Sequence, residues 1–202
     1  MDRRIGKWSA AVCFAGVVGF AIGMIIGEFN DSDYLTYIAC AFIALGYLPL
    51  VCALAQEKPS VAGKCGIAFG AVYLTVSLLV LFANLTVVQY GNLSDEALKI
   101  LDYQRMGLFF NYDLLGYCFM AISTFFAGLN LQIKNKTDKP LKILLMAHGV
   151  FAVFCFIMPM FNIFKEGQSP WIGIGLLEFW CVLFAVICVY AFLHFVDKKE
   201  NI

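Results

Sequence analysis

Apolar side chains fill six long segments of the chain, and short polar segments separate them. Because a helix needs about 20 apolar residues to cross a bilayer, each segment predicts a membrane-spanning helix. The pattern predicts an all-α, polytopic membrane protein whose six transmembrane helices form one compact domain. The predicted spans cover about residues 8–27, 34–55, 65–88, 109–132, 142–164 and 171–195.

Polar and small residues recur along three of the predicted spans at intervals of three, four or seven positions. Residues at this spacing share one face of a helix, so we expect each stripe to face protein rather than lipid. Pro159 lacks a backbone donor and is expected to kink span 5. The stripes contain Tyr73, Ser77 and Asn84 in span 3, Asp113, Tyr117 and Thr124 in span 4, and His148, Pro159 and Asn162 in span 5.

Span 6 carries a carboxylate, Glu178, inside a long apolar run. An acid at the centre of a spanning helix costs about 2.5–3.5 kcal/mol on insertion scales, so such residues usually face a bundle interior or a watery cavity. Trp171 and Gly175 precede Glu178 on the same helical line. We therefore expect a pocket around Glu178.

Four polar residues of different spans lie at similar depth. With a rise of about 1.5 Å per residue, each lies about 3–10 Å below the predicted outer end of its span. This common depth predicts an outward-opening polar pocket for a small or amphiphilic ligand that is cationic or hydroxylated. The predicted ligand-binding residues are Glu178, Asp113, Asn84 and Asn162, with Tyr117, Trp171 and Trp180 as walls.

The longest connection, residues 89–108, has the pattern of a short helix at the membrane surface. Ser94 is a suitable N-cap, and Asp95 and Glu96 would occupy the favourable first turn. Such an interfacial helix is either a lid over the predicted pocket or a connector folded onto the surface. Arg105 is a candidate partner for Asp113, which could alternatively cap span 4.

Composition and charge agree with a membrane protein and give it an orientation. The chain is 62% hydrophobic, against about 45–50% in soluble domains. Eleven of its 14 lysines and arginines fall on one side of a six-span topology, which predicts both termini in the cytoplasm. We expect a multi-pass protein of a bacterial plasma membrane, with membrane lipids as partners and no nucleic acid.

The residue inventory excludes several kinds of chemistry. The chain has eight cysteines without a C-x-x-C pair and only two histidines, so no metal site is expected. A serine-protease arrangement needs a histidine on the same side of the membrane as its serine, and the predicted outer half lacks one. The sequence also has no glycine-rich phosphate loop. We expect no cofactor.

Three classes of function remain. The first is binding or movement of the small or amphiphilic ligand through the outer pocket. The second is an intramembrane enzyme that uses Glu178 or Asp113 as general acid or base on a lipid-like substrate. The third is a noncatalytic accessory, sensor or immunity-type subunit with a membrane-protein partner, or a homo-oligomer. Gly19, Gly23 and Gly27 form a small-residue face that could pack inside the bundle or between proteins.

Overall fold

Helices dominate the computed structural model, which describes residues 2–30, 33–56, 58–164 and 170–197. A π-helical turn, Asn84–Val88, extends α3, and a 3-10 turn, Tyr103–Arg105, follows α4. The helices are α1 Asp2–Asn30, α2 Tyr34–Ala55, α3 Val61–Ala83, α4 Asp95–Leu101, α5 Leu108–Asn130, α6 Asp138–His148, α7 Phe151–Met160 and α8 Pro170–Asp197.

Six helical segments are long and apolar enough to cross a membrane in the part of the chain that is described. They are α1, α2, α3 with its π turn, α5, α6 together with α7, and α8. The predicted all-α bundle of six apolar helices is confirmed. α1 begins at Asp2, well before residue 8, because the apolar run marks only the part suited to lipid, whereas a helix can continue into the polar flank.

The spans pack into a closed ring. α1 lies between α2 and α8, α2 packs on α3, and α3 packs on α5. α5 then contacts α6 and α7, and α6 completes the ring against α8. We call the end of the bundle that carries residues 89–107 the outer end and the opposite end the inner end, after the predicted orientation.

Glycines of α1 allow it to pack closely on α2. A Cβ atom on Gly23 would lie 2.8 Å from the hydroxyl of Thr36, and one on Gly16 would lie 2.9 Å from Ile43. Both contacts are too close for a larger side chain. Gly23 of the predicted small-residue face is therefore packed inside the bundle, against α2, as small residues commonly are in membranes.

A buried polar network closes the inner end between α6 and α8. One carboxylate oxygen of Asp138 accepts a hydrogen bond from His194 Nδ1 at 2.6 Å, and the other accepts the backbone N–H groups of Lys134 and Asn135, each at 2.7 Å. Both side chains of the pair are fully buried. Asp138 thus joins α8, the start of α6 and the preceding loop.

Span 5 is interrupted near its middle, between α6 and α7. The N–H groups of Gly149 and Val150 bond to carbonyls three residues earlier, which is 3-10 rather than α-helical geometry. A Cβ atom on Gly149 would lie 2.8 Å from that of Phe125 in α5, so the close approach requires glycine. The kink expected at Pro159 is not the main irregularity, because α7 continues through Pro159 and ends at Met160.

Candidate functional site

Asp113 lies in α5 near the outer end and is only 7% exposed. It shares one helical face with Tyr117, four residues later. Side chains of α2, α3, α5 and the outer loop lie within electrostatic range of its carboxylate. We call this group the Asp113 cluster; it consists of Asp113, Tyr37, Cys40, Tyr73, Tyr103 and Tyr117.

The Asp113 carboxylate lacks a hydrogen-bond donor among the described residues. Ser77 Oγ, on the neighbouring helix, is buried and also has no partner there; it lies 3.0 Å from the position of a Cβ atom on Gly116. Buried polar groups are normally hydrogen-bonded, and leaving one unpaired costs free energy. Two polar groups on adjacent helices are therefore available to a ligand.

Aromatic rings pack the cluster tightly. Tyr73 and Tyr117 have ring centroids 5.8 Å apart, and the Tyr117 hydroxyl lies 3.5 Å from Cys40 Sγ. Tyr103 covers the outer side, with its ring 6.2 Å from Tyr37 and 5.0 Å from Phe110. The polar groups thus form a cluster that Tyr103 covers on its outer side.

Asn84 holds the outer loop over the cluster. Its Nδ2 donates to the carbonyls of Val80 and Leu101 at 2.9 and 3.3 Å, and its Oδ1 accepts the backbone N–H of Tyr103 at 3.1 Å. The side chain is 3% exposed and lies at the start of the π turn. Each of these hydrogen bonds joins the Asn84 side chain to a backbone group. Asn84 therefore positions Tyr103 rather than facing a ligand.

Replacing Asn84 with alanine is expected to loosen the outer loop. Loss of these hydrogen bonds costs about 1–2 kcal/mol, which raises the population of the open loop about five- to thirtyfold. Limited trypsin digestion in nanodiscs, followed at Lys99 and Arg105, measures the change. Asn92→Ala, an exposed asparagine of the same loop, is the matched control. Equal cleavage rates in the two variants would contradict the role of Asn84.

The outer loop contains the short helix α4, and both of its basic side chains lie near acids of the same loop. Ser94 accepts the N–H of Ala97 at 3.3 Å, as expected of an N-cap. Lys99 lies 2.9 Å from Asp95. Arg105, a candidate partner for Asp113, lies 3.6 Å from Asp95 and 4.0 Å from Asp102.

Further carboxylates lie at the outer rim of the cluster. Tyr37 is within electrostatic range of Asp33 and Asp102 as well as Asp113. Burial raises the pKa of Asp33, and the nearby carboxylates of Glu28 and Asp102 raise it further. Burial and then the charge of Asp113 likewise hold the pKa of Tyr103 well above its usual value. The electrostatic environment at the outer end therefore favours a cation.

A second polar chain crosses the middle of the bundle beside the Asp113 cluster. Trp180 Nε1 donates to His148 Nε2 at 2.9 Å. Because indole can only donate, the His148 proton is on Nδ1, which donates to Thr124 Oγ1 at 2.8 Å. Thr124 in turn donates to the carbonyl of Ala121 at 2.8 Å. Each group in this chain has a partner, so it ties α5, α6 and α8 together.

The structure brings together four of the predicted site residues. Asp113 and Tyr117 belong to the cluster, Asn84 holds its cover, and the Trp180 ring lies 5.0 Å from that of Tyr117. Glu178 lies two positions from Trp180 and so points to a different side of α8. It is half-buried, and its Oε1 is buried without a partner among described residues.

Glu178 lies outside the Asp113 cluster. Its position in α8 is three residues before Cys181, whose charge environment it influences. Asn162 is exposed at the end of α7 with φ of 48°, and Trp171 is 54% exposed near the start of α8. The structure does not gather these three residues around Asp113, and their part in ligand binding stays a prediction.

Several cluster residues escaped the sequence-based selection. Tyr37 and Cys40 share a face of α2, where they are three residues apart, and Tyr103 comes from the loop. The spacing in α2 was a usable indication, because polar-tipped side chains repeat in an otherwise aliphatic and alanine-rich span. Nothing local indicated Tyr103, whose position depends on a hydrogen bond to a residue 19 positions away.

No group of three or more histidine, cysteine or acidic side chains within the described ranges could hold a metal ion. In comparisons with known proteins, no family model, no curated protein and no solved structure is significantly similar to the chain.

Proposed function

We propose that the protein binds a small or amphiphilic molecule with a cationic or hydroxyl group at the Asp113 cluster. The observation that carries this proposal is a buried aspartate, 7% exposed, whose carboxylate has no hydrogen-bond donor among the described residues. An ammonium or hydroxyl group would supply that donor, and a charged hydrogen bond is worth about 1.5–3 kcal/mol. Ser77 Oγ supplies a second polar contact.

The surroundings of Asp113 favour a cation over other ligands. Asp33 and Asp102 add negative charge at the outer rim. The tyrosine rings present faces to which cations are attracted, a contact worth about 0.5–2 kcal/mol depending on desolvation. An anion would be repelled by the carboxylate of Asp113 itself, so anionic ligands are disfavoured.

We also propose the orientation that the charges indicate, with both termini on the cytoplasmic side of a bacterial plasma membrane. By their positions in the sequence, eleven of the 14 lysines and arginines fall on the cytoplasmic side of the six-span topology, in agreement with the positive-inside rule. The Asp113 cluster then belongs to the outer leaflet half, where it would take a ligand from outside the cell or from that leaflet.

Dodecylammonium is a suitable probe, because it combines an alkyl chain with a cationic donor group. In phosphatidylcholine nanodiscs, we expect it to raise the thermal unfolding midpoint of the wild-type protein. The Asp113→Asn variant is expected to bind it about ten- to a hundredfold more weakly, as loss of one charged hydrogen bond implies. The control for nonspecific effects of the amphiphile on the bilayer is Asp95→Asn, because Asp95 is an exposed acid of the outer loop.

The same variant separates a binding role from a structural one. Without ligand, Asp113→Asn is expected to be at least as stable as the wild type, because it loses no hydrogen bond with the described residues and no longer buries a carboxyl group. Equal probe affinity for wild type and Asp113→Asn would contradict the proposed function. A destabilised Asp113→Asn protein would assign Asp113 a structural role instead.

A further inference from the structure

The break in span 5 divides it into one fixed and one loosely held helix. α6 is fixed at both ends, through Asp138 bonded to His194 at 2.6 Å and His148 bonded to Trp180 at 2.9 Å. The 3-10 turn at Gly149 and Val150 follows directly. A short stretch of 3-10 geometry inside a helix often marks a hinge, and here it lies just beyond the last anchored residue.

α7 lacks the anchors that hold α6. It has no buried residue, and its extensive contacts within the described chain are with α5. Phe154 and Phe156, for example, are 52% and 51% exposed. Such a helix gives up little packing when it moves, because lipid chains solvate its apolar side chains as well as protein does.

Asp113 lies on α5, the helix against which α7 packs. Cys155 of α7 is within electrostatic range of both Asp113 and Cys118 of α5. At the outer end of the seam between the two helices there is a shallow groove, which is lined by residues including Phe110, Pro159 and Asn162. The α5–α7 seam therefore runs along the helix that carries Asp113.

We propose that α7 swings about Gly149 and Val150, opens the α5–α7 seam and admits the ligand to Asp113 sideways from the lipid. This inference rests on the proposed function and narrows its ligand to a membrane-dissolved amphiphile with one alkyl chain. The cationic or hydroxyl head reaches Asp113, and the chain lies along the apolar side of α7.

The seam is a better entrance than the outer loop. From the water side, Asp113 is covered by Tyr103, whose backbone Asn84 holds and whose ring packs on Tyr37 and Phe110. On the lipid side, α7 packs on the helix that carries Asp113 and is joined to α6 by two residues without regular helical hydrogen bonds. Opening the seam breaks apolar contacts only, whereas opening the loop also breaks hydrogen bonds.

The native cysteines test this movement without engineered sites. Cys118 is 4% exposed behind α7, whereas Cys181 and Cys188 are 3% and 0% exposed in α8. N-ethylmaleimide enters bilayers, and peptide mass spectrometry gives the labelling rate of each cysteine in nanodiscs. Because the three thiols differ in acidity, each cysteine is compared with itself: if α7 opens to admit the probe, dodecylammonium should slow the labelling of Cys118 severalfold and leave that of Cys181 and Cys188 unchanged.

The outcomes separate the entrance from the binding site. Labelling of Cys118 that dodecylammonium does not slow would overturn the hinge, even if probe binding still depended on Asp113. Equal protection by ethylammonium, which lacks the chain, would overturn entry from the lipid. Slowed labelling of Cys118 with no Asp113-dependent binding would support the hinge and refute the proposed function.

Discussion

Replacing Asp138 with alanine is expected to lower the free energy of unfolding by about 3–5 kcal/mol, the usual loss when one partner of a buried pair is removed. His194 Nδ1 loses its acceptor at 2.6 Å, and two backbone N–H groups lose theirs at 2.7 Å. Each of these donors would remain at the closed inner end without the acceptor that Asp138 supplied. Circular dichroism during titration with sodium dodecyl sulfate measures the change.

An exposed pair provides the control for Asp138. Asp95 and Lys99 lie 2.9 Å apart, but both side chains are largely exposed, so Asp95→Ala should change the free energy of unfolding little. Asp138→Asn keeps an acceptor and should fall between the two. A loss below about 1 kcal/mol for Asp138→Ala would show that the inner network contributes little to stability.

Replacing Trp180 with alanine is expected to cost about 3 kcal/mol, mostly from the cavity left behind. The ring stacks on Phe184 at 5.2 Å and also contacts Tyr117 and Phe20 at 5.0 and 6.3 Å. The transfer of apolar surface contributes little inside a bilayer, because lipid is as apolar as the bundle interior. The expected loss of stability therefore comes from the lost packing and the lost hydrogen bond to His148. The same detergent titration measures this variant.

A more conservative substitution separates the contribution of the Trp180 ring to the free energy of unfolding from that of its hydrogen bond to His148. Trp180→Phe keeps most of the ring but leaves His148 Nε2 without a donor, so it should cost about 1–2 kcal/mol. The matched control is Trp171→Phe, at a position 54% exposed, which should change stability by no more than about 0.5 kcal/mol. If the two phenylalanine variants are equally stable, the His148 hydrogen bond does not stabilise the bundle.

The apolar pattern predicted the six helices because length and composition decide which segments can cross a bilayer. The stripes at helical spacing were informative for the same reason, since Tyr73, Asp113 and Tyr117 are all buried in protein. What the pattern lacks is the rotation of one helix against its neighbours. The order of packing around the ring had to come from the structure.

Depth alone was insufficient to define the site. Glu178 and Asp113 have similar predicted depths, yet Glu178 points away from Trp180 because residues two positions apart lie on different helix faces. Asn84 has the right depth as well, but its amide is used to hold the loop. Whether a polar residue faces the site or holds the fold depends on contacts with residues distant in sequence, which the sequence alone does not specify.

The break in span 5 at Gly149 and Val150 was not predicted, for a local reason. Proline is the strongest helix breaker by propensity and drew the prediction to Pro159, which lies in the last turn of α7, one residue before the helix ends. Gly149 lies in the middle and approaches α5 closely. A glycine in an apolar run has many explanations, so its role depends on the neighbour it contacts.

The hydrogen-bonded chain from Trp180 through His148 to Thr124 runs in one direction only. A proton wire requires each member to accept a proton on one side and release one on the other, and an indole nitrogen has no free lone pair with which to accept. His148 is the one ionisable group of this chain and is fully buried at the break in span 5. The chain is therefore a proton insulator, and any charge that the protein moves across the membrane must take another route.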